Sequence, residues 1–136
     1  MSAIDGLLSV SILAGLLSSA AALSGRYREL PPFLTGPRVC KLEAGGCQIL
    51  FRTKTAALLG VPNSLLGLIY YAALPAALAL GAPAALLAAV SLAPVAMTVY
   101  LAWYLIREKL ECRICWVGHA ANVAAAACLW AQFLVR

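Results

Sequence analysis

Four long apolar runs, set apart by polar breaks of very unequal length, organise this chain. A helical membrane span needs about 20 mostly apolar residues. Residues 6–24, 56–80, 84–106 and 114–135 meet that requirement. The pattern predicts an all-α membrane protein, a four-transmembrane-helix bundle. Pro62 falls near the start of the second span, where a missing N–H costs little. Pro75 and Pro94 fall inside spans. Small residues are dense, as in Ala124–Ala127, which permits close helix packing in lipid.

The breaks carry the rest of the plan. Spans two and three are joined by little more than Gly81-Ala82-Pro83, a tight hairpin. Spans three and four are joined by the charged stretch Arg107–Arg113, and spans one and two by the long stretch Gly25–Thr55. Long loops in compact domains are usually functional. The segment from Cys47 to Phe51, followed by Arg52, Thr53 and Lys54, reads as a short interfacial helical turn able to lid the bundle. With four spans, parity puts the long loop and the span three–four turn on one side. Both termini and the hairpin lie on the other.

Composition strengthens this reading. Hydrophobic residues make up 64% of the 136 residues and charged residues 11%, against about 45–50% and 25% in soluble domains. That balance cannot cover a water-exposed surface, and the length suits one domain, 1–136. The first run lacks Lys or Arg ahead of it, which argues against a cleaved signal peptide. No basic–aromatic interleaving points to nucleic acid.

Candidate chemistry gathers at one face. Cys40 and Cys47 lie in the long loop, and Cys112 and Cys115 form Cys-Arg-Ile-Cys at the start of span four. Parity places all four together. A Cys-x-x-Cys opening a helix favours thiolate through the helix dipole and exposed amides, which suits disulfide exchange. Two other arrangements fit the same residues: a structural Cys40–Cys47 disulfide beside an inert pair, and a four-cysteine zinc site. The loop pair is spaced more widely than zinc ligands commonly are. Cys128 lies about 20 Å further along the helix than Cys115 and is read as apolar filler.

Span four also carries a polar stripe. At 100° per residue, Cys112, Cys115, His119 and Asn122 fall within about 80° of each other, flanked by Trp116. Polar groups inside a span face the bundle interior and suggest function. His119 and Asn122 are candidate ligand contacts, or else bonds between helices. Asn63, after Val61-Pro62, either caps span two or bonds a carbonyl in the bundle. An apolar bundle with a cysteine pair at its mouth suits a flat, lipid-soluble carbonyl compound.

These residues resemble the vitamin K epoxide reductase family, including its prokaryotic disulfide-forming homologues. The markers are Cys40-x6-Cys47 with Phe51 four residues on, Asn63-Ser64 followed by Leu-Leu-Gly-Leu-Ile-Tyr, Val99–Trp103, and Cys112-Arg-Ile-Cys115 with Ala-Asn-Val from Ala121. The other quinone-linked disulfide oxidase family carries its Cys-x-x-Cys in the first loop and fits less well. The resemblance implies a membrane thiol–disulfide oxidoreductase. A thioredoxin-like partner would reduce the Cys40–Cys47 disulfide, Cys47 would exchange with Cys112, and Cys115 would deliver electrons to a quinone of the ubiquinone or menaquinone type. Asn63 would bond a quinone oxygen and Phe51 would wall the pocket, with His119, Asn122 and Trp116 beside them. The alternatives are a quinone or epoxide reductase running on thiols, and a metal-binding or structural membrane module. His119 stands where the animal enzymes have tyrosine, which puts epoxide chemistry in doubt. No fused thioredoxin-like domain is expected, so the redox partner would be a separate protein.

Nine of ten Lys and Arg lie on the cysteine side: Arg26, Arg28, Arg38, Lys41, Arg52, Lys54, Arg107, Lys109 and Arg113. The positive-inside rule then predicts a cytoplasmic cysteine face, opposite to the family's usual arrangement. Inverted members belong to hyperthermophilic archaea, where intracellular disulfides are common. The two Asn and two Gln lean the same way.

Overall fold

A computed structural model describes residues 2–31, 33, 51–110 and 112–135. Cys40 and Cys47 lie outside the described residues. Among the described residues four long α-helices carry the fold: α1 (Ala3–Tyr27), α2 (Asn63–Ala79), α3 (Ala84–Arg107) and α4 (Arg113–Val135). There is no strand among the described residues. Helices α1, α3 and α4 are long and apolar enough to cross a membrane, and α2 is apolar but shorter, at 17 residues. Their outer faces carry apolar side chains such as Leu13, Leu17, Leu92 and Val99, as a lipid-facing surface requires.

Each helix end has a local cause. Ser2 and Asp5 form a reciprocal capping box at the start of α1: Asp5 N donates to Ser2 Oγ at 3.2 Å and Ser2 N to Asp5 Oδ2 at 2.9 Å. Pro62 and Pro83 occupy the positions before α2 and α3, where a missing N–H does not matter, and their carbonyls accept the first helical bonds. The second helix therefore starts at Asn63, seven residues later than the apolar run predicts. Within that run, Lys54–Ala57 form a single 3-10 turn and residues 58–62 turn the chain into α2. Apolar composition continues across Pro62, but helical hydrogen bonding cannot. Phe51 and Arg52 are helical, and the rest of the expected interfacial turn before them lies outside the described residues.

The hairpin ends α2 with a paired cap. Ala82 N donates to Ala77 O at 2.9 Å and Gly81 N to Leu78 O at 3.1 Å, with Gly81 at φ 70°. The same two-bond pattern ends α3, where Leu110 N reaches Leu105 O and Lys109 N reaches Ile106 O. There the left-handed position is held by Lys109, at φ 52°.

Helix α1 packs between α2 and α4, and α4 packs between α1 and α3. Although consecutive, α2 and α3 make little contact with each other. The four helices thus form a ring that is loosest between α2 and α3. Close approach of α1 to α2 depends on Gly15, because a Cβ there would fall inside the ring of Tyr71. One buried cluster, including Leu8, Tyr71, Leu74, Ala125 and Leu129, fills the hairpin half, and Cys128 is part of it. The filler reading of Cys128 agrees with that placement. A smaller cluster of Phe51, Leu105, Cys112 and Ile114 closes the cysteine end.

Candidate functional site

The site begins at the head of α4. Cys112 precedes the first helical residue, and its carbonyl accepts from Trp116 N at 3.0 Å, the position of an N-cap. Its sulfur takes the place of the capping oxygen: Cys115 N approaches Cys112 Sγ at 3.4 Å. The two sulfurs stand 2.6 Å apart. The Cys-x-x-Cys spacing makes this possible, since a cap side chain reaches the amide three residues on. That amide and the positive end of the helix favour a negative sulfur.

The two cysteines differ in surroundings. Cys112 is fully buried, at 0% exposure, against Phe51, Leu105 and Ile114. Cys115 is half-buried and lines a partly open cavity of about 400 Å³ walled by all four helices. That volume falls in the usual range for a small-molecule site, about 300–1,000 Å³. His119, one turn along α4, lines the same cavity, as do Asn63 and Phe51.

Phe51 is 7% exposed and is held by a reciprocal pair of arginines. Arg26 Nη1 donates to Phe51 O at 2.9 Å, and Arg52 Nε donates to Arg26 O at 2.9 Å. Arg113, between the two cysteines, donates to Phe33 O at 3.3 Å. The described ends of the long loop are therefore tied to α1 and to the head of α4.

Asn63 divides its amide between fold and cavity. Its Nδ2 donates to Thr55 O at 2.9 Å and its Oδ1 accepts from Leu58 N at 3.3 Å, which pins the 3-10 turn to α2. The amide nitrogen carries two protons, and the turn uses one.

Asn122 also lines the cavity, yet both ends of its amide are engaged by other helices. Its Oδ1 accepts from Tyr71 Oη at 2.6 Å, and its Nδ2 donates to Thr98 Oγ1 at 2.8 Å and to Pro94 O at 3.3 Å. Of the two roles the stripe allowed it, the geometry displays the bond between helices. Trp116 departs from the expectation of a ligand contact. It is absent from the cavity wall and 38% exposed, because it lies about 100° around the helix from Cys115. Its ring packs edge-on to His119, centroids 5.9 Å apart, so it supports the histidine from outside.

Sequence reasoning missed Tyr70, Tyr71 and Thr98, all of which line the cavity. A usable signal existed, since each carries a hydroxyl in the middle of an apolar span, the criterion that singled out His119 and Asn122. Two polar atoms on cavity-lining side chains, His119 Nε2 and Tyr70 Oη, are buried without a hydrogen-bond partner. Among the described residues no three metal-ligating side chains cluster, and the four-cysteine zinc arrangement would need Cys40 and Cys47.

Residues 7–130 match the Vitamin K epoxide reductase family. The chain belongs to this family. No curated protein and no solved structure is found to match it. Family membership makes the chain a membrane oxidoreductase and associates it with quinones in general. The cavity fits such a group on its own observations: it is chiefly apolar, it places a cysteine sulfur on its wall, and two of its side chains carry unpaired buried polar atoms.

Proposed function

We propose that this family member is a thiol–disulfide oxidoreductase that generates disulfides in a separate thioredoxin-like partner and passes the electrons to a quinone. The observation that carries the reading is the asymmetry of the Cys-x-x-Cys pair: one sulfur sealed beside the loop anchor, its neighbour on the cavity wall. In this scheme the partner's dithiol is oxidised by the Cys40–Cys47 disulfide. Cys47 thiolate then attacks the Cys112–Cys115 disulfide at Cys112 and releases Cys115 as thiolate at the cavity; Cys40 next attacks Cys47, which restores the Cys40–Cys47 disulfide and releases Cys112, leaving Cys112 and Cys115 as the two thiols to be oxidised. The positive end of α4 favours that leaving thiolate, while the Cys115 amide faces Cys112 Sγ. A bound quinone supplies a two-electron, two-proton sink, which balances the two thiols oxidised. In this reading His119 and the remaining Asn63 proton hold its oxygens, and Phe51 and the surrounding apolar wall keep water from the sulfur.

The same reading makes α2 the fourth membrane span. At about 1.5 Å per residue its helix is about 26 Å long, near the lower limit for crossing, and the 3-10 turn extends it toward the interface. Ubiquinone and menaquinone types both suit the cavity. The Lys and Arg bias supports a cytoplasmic cysteine face.

Purified protein given a dithiol should reduce a quinone, and Cys115→Ser should bring the rate to background. Undiminished turnover in that variant would remove the assignment. In intact cells whose disulfides have first been reduced, impermeant thiol reagents should spare Cys40, and strong labelling would place the cysteine face outside.

A further inference from the structure

Among the described residues, three buried side-chain polar atoms have no partner: Tyr70 Oη, His119 Nε2 and Trp130 Nε1. Trp130 is not on the cavity wall, while the other two belong to side chains that line it. They come from helices on opposite sides of the ring, Tyr70 from α2 and His119 from α4. His119 lies one turn from Cys115. Tyr70 lies two turns along α2 from Asn63, about 10 Å away on the same helix face. Its ring packs edge-on against Tyr71, centroids 5.0 Å apart. Tyr71 gives its hydroxyl to Asn122, so the two adjacent tyrosines differ: one serves the fold and the other has no protein partner.

A buried donor with no acceptor is unfavourable, and such groups in native structures call for a physical reason. The fold does not provide one for Tyr70. We propose that Tyr70 is a specificity residue, whose hydroxyl donates to the second carbonyl of a two-ended ligand while His119 and Asn63 hold the first. The chemical class is a lipid-soluble ring with carbonyls at both ends. A one-carbonyl compound would leave the Tyr70 donor unpaired, and a site built to hydrogen-bond a polar group discriminates strongly against analogues lacking it. This inference rests on the quinone-site reading above and names the residue that selects for it.

The test is equilibrium binding to the oxidised full chain, which holds the quinone without turning it over. The probes are a naphthoquinone with para carbonyls and its one-carbonyl analogue alpha-tetralone, followed by quenching of tryptophan fluorescence. Tyr70→Phe should weaken naphthoquinone binding about tenfold and leave tetralone binding within about twofold. The melting temperature should hold or rise, because an unpaired buried hydroxyl has been removed. Equal affinity for naphthoquinone in the variant, or equal loss for both probes, would overturn the proposal. So would a fall in melting temperature, which would mean that the hydroxyl serves the fold. If the parent protein itself fails to bind naphthoquinone, the quinone-site reading fails and this inference goes with it.

Discussion

His119 and Asn122 lie three residues apart on one polar stripe of α4, line one cavity, and do opposite things. The amide of Asn122 is saturated, bonding Tyr71 on α2 and Thr98 and Pro94 on α3. His119 Nε2 is buried without a partner, its ring propped by Trp116. On this stripe the residue nearer the cysteines keeps binding capacity in reserve, and the one nearer the hairpin locks helices together, although Tyr70 Oη and Trp130 Nε1 are also without partners. A polar residue inside a span is informative only once its partners are known. Of these two cavity residues, His119 has unmet capacity that a ligand could use, and Asn122 belongs to the frame.

This contrast can be broken by substitution. Asn122→Ala strands the Tyr71 hydroxyl and the Thr98 hydroxyl together. It should destabilise the bundle by about 3 kcal/mol, since an unmet buried group costs about 1–3 kcal/mol and interhelical bonds in membranes average less. Thermal unfolding in detergent measures it, and a change under about 1 kcal/mol would show that the clasp is not what holds these helices.

Gly15→Ala tests the same frame from the other side. The added methyl falls inside the Tyr71 ring, and overpacking of this kind costs about 1–3 kcal/mol. Because Tyr71 must move, stability and the Asn122 bond should be lost together. A double mutant with Asn122→Ala should then cost less than the sum of the two changes.

His119→Leu should behave in the opposite way. It removes no protein hydrogen bond at Nε2, so melting should shift little. Quinone binding should weaken about tenfold, the worth of one hydrogen bond of about 1.4 kcal/mol. A large loss of stability with intact binding would reverse the assignment of the two residues.

The smallest effect belongs away from this stripe. Lys109 holds a left-handed backbone at the end of α3, which costs a side-chain-bearing residue about 1–2 kcal/mol. Lys109→Gly should raise stability by about 1 kcal/mol, set against the entropy glycine loses on folding, and should leave quinone binding unchanged. Destabilisation would mean that the lysine side chain contributes more than its backbone strain.

Much of this was legible beforehand. The positions of α1, α3 and α4, the three helices long and apolar enough to cross a membrane, follow from apolar run length, because lipid imposes a minimum of about 20 residues. The close approach of Cys112 and Cys115 at the head of α4 follows from Cys-x-x-Cys at the start of a run, because cap geometry is local. The start of α2 was misjudged because hydropathy does not register the lost N–H of Pro62. The division between His119 and Asn122 was not legible at all. Both are polar, both lie inside the same run, and their difference is set by Tyr71, Thr98 and Pro94, which are distant in sequence.

The sequence by itself determined the apolar runs, the family, the cysteine pair at the head of α4 and the charge bias of that face, since these depend on residue type and local spacing. The tertiary structure decided which cysteine meets the cavity, that Tyr71 passes over Gly15 to reach Asn122, and that Tyr70 and His119 are left without protein partners. Those outcomes depend on where helices far apart in the chain come together, and local spacing carries no information about that.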